Sequence, residues 1–334
     1  MQSQPAQQSR SHTVADRLRA LFGKNSVFGT HLTLLVTLGV MLVFFSIMSP
    51  YFLQVDNLMN IARSVAIIGI VAVGETIVLI SGGIDMSIAA VMAMSGLFAA
   101  VAVRAGMPFF VGFLAALLAG LIVGLVNGLI ITRLRINPLI ATLATGMIVR
   151  GLAYVGSGGY TLTVTTPGFS DLGRGRLMDV VPYPVILLGI TYIGAYLFLR
   201  RSLGGRYVYS IGGNPVACRL AGIDVDRWRI LFYVLGGIFA AYGGYVLSSL
   251  VGASMGNAAL GVELDIIAGV VLGGASLSGG EGTIIGTLLG ILVLGTLTNG
   301  LIMLNVSAFW QMVARGVVLL LAVLLDAWRT GGYR

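Results

Sequence analysis

Residues 108–131 read PFFVGFLAALLAGLIVGLVNGLII. No charged side chain interrupts them, and Asn127 is the one strongly polar group. A helix needs about 20 mostly apolar residues to cross a bilayer core about 30 Å thick. The segment is long enough, so it predicts a transmembrane helix, and lipid is the solvent in which its neighbours must be read.

Similar runs lie on both sides of it. The spans read as 29–49, 61–80, 87–104, 108–131, 138–156, 182–199, 230–250, 264–278, 284–303 and 307–326. The expectation is an all-α polytopic membrane protein of ten transmembrane helices. Spans 87–104 and 264–278 are short, flanked by glycine and next to acids, so each fits a full, broken or re-entrant helix. The apolar, membrane-spanning region covers 29–327. A polar tail, 1–28, precedes it and reads as disordered, with a short amphipathic turn near Val14–Phe22. A short tail, 328–334, follows it.

Composition agrees. Of 334 residues, 57% are hydrophobic and only 10% charged, against about 25% charged in soluble domains. Glycine is frequent, at 48 residues, and proline scarce, at 8. Small residues let membrane helices approach closely. One cysteine, Cys218, excludes a disulfide framework and a Cys-based metal site. Two histidines, His12 and His31, leave little for His-dependent catalysis.

The net charge of +8 does not point to nucleic acid, because the basic residues sit between apolar spans and form no single patch. They work as orientation signals. Ten crossings put both termini on one side. With that side cytoplasmic, the inner segments hold most of the 20 basic residues, including Arg133, Arg135, Arg200, Arg201, Arg227, Arg229 and Arg329. Arg63, Arg104, Arg174 and Arg176 fall outside or at span edges. Two connections are long: an external one at 157–181 and a cytoplasmic one at 200–229.

The chain echoes itself. Gly124–Ile130 (GLVNGLI) resembles Gly295–Ile302 (GTLTNGLI). Each is followed by an Asn, Asn137 or Asn305, and by an Arg-Gly pair, Arg150-Gly151 or Arg315-Gly316. The stretch Ser81–Asp85 has a looser counterpart in Gly273–Gly280. The matching spans are five apart, which gives copies of opposite direction: an inverted five-plus-five repeat, with a pathway expected at the repeat interface.

Charges at membrane depth are costly and face the protein interior. Glu75, Asp85, Arg150, Glu263, Asp265 and Arg315 are the candidates. Two arginines among four acids predict ion pairs between helices, and the alternative is a lining of the pathway. Asn127 and Asn299 divide the same way, between bonding a neighbouring helix and facing cargo. Asp85 ends a Gly82-Gly83 turn, and Ser87 is placed to cap the next helix.

No catalytic constellation emerges. Gly252–Gly256 (GASMG) matches the Gly-x-Ser-x-Gly elbow, but that motif needs a strand-to-helix turn and a His partner, and neither is near. There is no zinc spacing and no phosphate loop with Lys. No cofactor is expected on this chain, and the energy for active transport, if any, must come from outside this chain or from an ion gradient.

In the cytoplasmic connection, Asn214 can cap a helix that has Pro215 at its first position. Gly222 can close that helix. The predicted element, Pro215–Ala221, is too short to be stable alone and needs something to dock on.

The stretch Ser210-Ile211-Gly212-Gly213-Asn214 through Ala217, Leu220, Ala221, Gly222 and Ile223 resembles the signature loop of monosaccharide ABC importer permeases, the ribose, arabinose, xylose and galactose type. Ser81–Ser87 (SGGIDMS), the Asn137-Pro138 block with Thr142-Leu143-Ala144-Thr145 and Arg150-Gly151, and Gly261–Ala268 (GVELDIIA) with Gly273-Gly274 and Leu277–Gly280 resemble the family's other motifs. The resemblance spans about 30–328.

It implies a non-catalytic permease subunit in the bacterial inner membrane. It further implies a second permease subunit, a periplasmic or lipid-anchored sugar-binding protein outside, and a tandem-domain ATPase carrying ATP-Mg inside. The ATPase would grip the short helix, making Gly213, Asn214, Ala217, Arg219, Ala221 and Gly222 the expected coupling residues. Asp224 and Asp226 could add polar contacts. The expected cargo is a pentose or hexose. Autoinducer-2, a nucleoside or a branched-chain amino acid would fit the same machine. A stand-alone proton-coupled transporter using Glu75, Asp85, Glu263 or Asp265 is the alternative of another class.

Overall fold

The computed structural model describes residues 27–330. The tail at 1–26, including the turn expected near Val14–Phe22, and residues 331–334 lie outside the described residues. Helices dominate. In chain order they are α1 (Val27–Met48), α2 (Val55–Ile80), α3 (Ile88–Arg104), α4 (Phe109–Arg133) and α5 (Pro138–Ser157). An irregular segment follows, with β1 (Leu162–Thr163), α6 (Asp171–Arg174), β2 (Arg176–Leu177) and β3 (Val181–Pro182). Then come α7 (Tyr183–Arg201), α8 (Leu203–Gly213), α9 (Pro215–Leu220) and α10 (Val225–Val251). The chain finishes with β4 (Ala253–Ser254), α11 (Val262–Leu272), α12 (Ile284–Met303) and α13 (Ala308–Thr330).

Among the described residues, eight helices are long and apolar enough to cross a membrane: α1, α2, α4, α5, α7, α10, α12 and α13. The two spans read as short are shorter still as helices. Helix α3 has 17 residues, about 26 Å at 1.5 Å per residue. Helix α11 has 11, about 17 Å, so the expected span 264–278 is corrected. After Leu272 the chain runs without helix through 273–283. Non-helical backbone at membrane depth is tolerated only where protein covers it. Ala275 and Ser276 are buried accordingly.

Helices α2 and α10 form the centre. From Val65 to Ile80 all of α2 but Ile68 is buried, and α10 buries a glycine-bearing face against α2, α3 and α4. Close approach explains the glycine content. Gly120, Gly124 and Gly128 recur every fourth residue along one face of α4. Carbons added there would overlap the backbone of α10 at Gly237, Tyr233 and Ile230. Gly269 of α11 and Gly273, just past its end, meet Gly290 and Gly286 of α12 in the same way. Such small-residue contacts replace the hydrophobic drive that lipid removes.

Both central helices begin earlier than the hydropathy limits of 61 and 230. Their first turns carry Asp56, Asn57 and Asn60, or Asp226, Arg227 and Arg229, so helix extends past the apolar span. The two ends of the bundle are tied separately. At one end β1 pairs with β4, and Asn57 and Asn299 exchange amide hydrogen bonds of 3.0 and 2.9 Å. At the other, His31 Nε2 meets Thr283 Oγ1 at 3.0 Å, and Gly280 N donates to Ile80 O at 2.7 Å.

That last bond corrects the looser echo. Ser81–Asp85 precedes α3, whereas Gly273–Gly280 follows α11. They are neighbours in space at one end of the molecule, not equivalents under a five-span offset.

Candidate functional site

The 200–229 connection folds as two helices where one was expected. Ser202 Oγ accepts from Gly205 N (2.9 Å) and starts α8. Val208 and Ile211 of α8 are fully buried, and Tyr207 stacks edge-on against Trp228, 4.9 Å between centroids. The Tyr209 hydroxyl donates to Gly282 O at 3.0 Å, and burial raises the pKa of that phenol above its ordinary value.

Asn214 then does what its position predicts. Its Oδ1 accepts from Ala217 N at 2.9 Å, and Pro215 occupies the first turn. The helix ends at Leu220, one residue short of the expected limit. Ile223 N returns to Cys218 O (3.0 Å), with Gly222 left-handed at φ +80°.

A six-residue helix has no stability of its own. Two caps and the buried Cys218 hold it. Most of the rest faces outward: Ala217, Arg219, Ala221 and Gly222 are exposed, with Leu220 86% and Val216 61% exposed. Arg219 pairs with Asp226 at 3.2 Å, and Arg227 with Asp224 at 3.1 Å. A projecting, capped helix with a bare leucine at its tip has the form of a docking element.

Behind it lies a junction made of backbone. Three separate segments at this end each carry a Gly-Gly pair: Gly82-Gly83, Gly212-Gly213 and Gly279-Gly280. They meet. A carbon on Gly212 would overlap Ile80 O and stand 2.5 Å from Gly280 N. One on Gly279 would stand 2.8 Å from Gly82 Cα, and one on Gly280 3.0 Å from Gly213 Cα. The end of α8, immediately before α9, is thus pressed against the turn that opens α3 and the loop that closes α11. Gly212 was not among the expected coupling residues. The recurring Gly-Gly pairs were the available signal.

The same turn leads into a buried polar cluster. Glu75 and Asp85 are 0% and 1% exposed, and Asp85 N donates to Glu75 Oε1 at 3.3 Å. Asp85 Oδ1 accepts from Ser87 N (2.8 Å), Ser87 Oγ (2.5 Å) and Asn127 Nδ2 (3.4 Å). Ser87 therefore spends its hydroxyl on Asp85 and does not cap α3. Asn127 Nδ2 also donates to Ser87 Oγ (2.9 Å), while its Oδ1 accepts from Thr145 Oγ1. Thr142 Oγ1 accepts from Met86 N at 3.0 Å. The cluster fastens α4 and α5 to the turn beside the glycine junction. Its threonines lie in a block whose sequence gives no sign of which residue meets Asn127.

The expected arginine–acid pairs form only once. Arg315 Nη1 meets Asp265 Oδ2 at 2.8 Å and links α13 to α11. Among the described residues no arginine pairs with Glu75 or Asp85. Arg150 donates to Gly256 O (2.9 Å) and Ala258 O (2.6 Å), where it pins the loop before α11. Arg150 and Glu263, with Met86, Leu143 and Gly146, line a cavity of about 160 Å³ between α3, α5 and that loop. Asn299 bonds Asn57, a helix-pairing role. The Gly-x-Ser-x-Gly serine, Ser254, is buried on β4, and His31 is engaged at the opposite end of the bundle.

Arg315→Gln is expected to cost about 2 kcal/mol, because Asp265 would lose its cation. The value is below that of a sealed pair because the two side chains are 32% and 19% exposed. The melting temperature in detergent should fall by several degrees; an unchanged value would remove the pair from the stabilising contacts.

The fold is a multi-pass helical bundle from which one short, capped helix projects. The chain belongs to the permease family described as "Branched-chain amino acid transport system / permease component", whose model it matches over residues 57–323. Among curated proteins it is 43% identical over 291 residues to the ribose import permease protein of Bacillus subtilis, covering 86% of this chain and 90% of that one. The ribose import permease protein of Escherichia coli K12 is 40% identical, at 87% and 92% coverage. The L-arabinose transport system permease protein of the same strain is 39% identical, at 89% and 90%. No solved structure matches the chain.

Proposed function

We propose that this chain is the permease subunit of an ATP-driven importer that admits a monosaccharide delivered by an external sugar-binding protein. Kinship to ribose and arabinose permeases supports the cargo. The observation that carries the mechanism is α9: an exposed, capped helix backed by a backbone junction to the ends of α3 and α11. A tandem-domain ATPase grips α9, and its closing and opening move both short helices together.

Ten crossings, five in each of two inverted halves with both termini cytoplasmic, are supported by the way loops meet. Up-and-down alternation through α1–α5, α7 and α10–α13 puts 81–87, 202–224 and 273–283 on one side and 158–182 and 252–261 on the other. The contacts described above join loops within each group. The exposed face of α5, with Leu143, Met147 and Leu152, meets a second permease subunit and forms the pathway with it. Arg150 and Glu263 stand at the outer half of that pathway.

A proton-coupled transporter finds less support, because Glu75 and Asp85 are sealed from every surface.

The test is uptake of labelled ribose, arabinose, xylose and galactose in cells with and without the locus. Loss of uptake of one of these, blocked by vanadate, is expected. Unchanged uptake of all four would overturn the sugar assignment in favour of autoinducer-2, a nucleoside or a branched-chain amino acid. Transport by this chain alone in liposomes, abolished by an uncoupler, would overturn the ATP-driven class.

A further inference from the structure

Glu75 and Asp85 are the two buried acids of the described residues. Each leaves one oxygen with no donor, Glu75 Oε2 and Asp85 Oδ2. Their other oxygens differ. Asp85 Oδ1 accepts from Ser87 N, Ser87 Oγ and Asn127 Nδ2, whereas Glu75 Oε1 accepts one long bond from Asp85 N.

No opposite charge offsets the pair among the described residues. The entry to α3, with α4 and α5, brings Ser87, Asn127, Thr142 and Thr145, all neutral. From α10, Tyr233 is the titratable group that faces both carboxyls, and its hydroxyl is spent on Ile84 O at 3.3 Å. Arg229 lies beyond Tyr233, near Gly82, where an added carbon would stand 4.0 Å from its Nη2. It forms no ion pair with either acid.

Two neighbouring carboxyls this dry do not both ionise. Burial drives an unpaired carboxylate to neutralise, and a like charge beside it adds to that drive. Hydrogen bonds donated to a carboxylate favour its charged form. Asp85 receives three and Glu75 one, so the proton belongs on Glu75. A hydrated cation finds little room instead. A carbon on Gly236 would stand 3.1 Å from Val78 Cγ2 and 4.0 Å from Asp85 Oδ2.

We propose that Glu75 is a proton-binding residue, held as the neutral acid, whose hydroxyl supplies the donor that the pair lacks. It is a positioning residue: it fastens α2 to the turn that opens α3, beside the glycine junction. The proposal goes beyond the transport reading and does not depend on it.

The test is infrared spectroscopy of the purified full-length chain in detergent at about pH 8, where exposed carboxyls are ionised. The carbonyl stretch of a protonated acid is expected, and carbon-13-labelled glutamate should move it to lower frequency. The chain has three glutamates, Glu75, Glu263 and Glu281. Glu75→Gln should abolish the band and Glu263→Gln should keep it. Absence of the band from the unmodified chain would overturn the proposal whether or not any variant folds. So would a band that labelled glutamate leaves unmoved, or one lost in Glu263→Gln. Melting temperature tests the donor role. Glu75→Gln keeps a donor and should melt close to the unmodified chain; Glu75→Met, of similar size but with no donor, should melt several degrees lower. Equal melting of the two variants would refute that role.

Discussion

Alanine at Gly212 is expected to reduce ATP-driven uptake at least tenfold while the chain still reaches the membrane. The added carbon would overlap Ile80 O and stand 2.5 Å from Gly280 N. Those two atoms are bonded to each other across the junction at 2.7 Å, so the segments cannot simply slide apart. Alanine gains up to about 1 kcal/mol of helix propensity over glycine. Overpacking costs about 1–3 kcal/mol, and loss of the Gly280 hydrogen bond about 1 more. The unfavourable terms win, and α8 must lift from the turn before α3.

The partner ATPase should still turn over, since α9 remains exposed, but its motion would no longer reach α3 and α11 in register. Gly189→Ala is the control, because a carbon there meets nothing within 4 Å, and it should transport normally. Uptake within twofold of the unmodified chain would refute the junction as a relay. So would equal loss of uptake and of ATP hydrolysis, which would mean that the variant simply fails to assemble.

Aspartate at Gly222 tests the docking face itself. Gly222 is left-handed at φ +80°, and a side chain there enters open space. Aspartate is one of the few residues that tolerate this backbone region, so the penalty is about 1 kcal/mol and the fold survives. The new charge would stand beside the exposed Leu220 and Ala221, on the surface proposed to meet the ATPase. Uptake should fall below a tenth of the normal rate, with insertion and melting temperature nearly unchanged. Gly222→Asn, with the same shape but no charge, should keep a larger share. Normal uptake in the aspartate variant, or its failure to insert, would count against coupling through α9.

Much of this protein is legible in one dimension. Long apolar runs mark the spans because the bilayer demands them. Asn214, Pro215 and Gly222 delimit α9 because caps are local chemistry. Hydropathy fails where helices outrun the lipid, as at Val55 and Val225, and where a crossing is only part helix, as at α11. The polar cluster was visible as Glu75, Asp85 and Asn127, but its wiring was not. Arg150 pins carbonyls where an acid pair was expected, and Glu75 lies beside Asp85 with no cation on either among the described residues.

The sequence by itself determined that the chain crosses the membrane repeatedly, where most of its long helices lie, and which short helix projects. Tertiary structure decided which arginine meets an acid, that Gly212 carries the junction, and that Glu75 and Asp85 are buried side by side. The division has a physical cause. Burial in lipid and helix capping depend on residues near in the chain. An ion pair or a backbone contact depends on the rotation and depth of two helices, which only their packing sets.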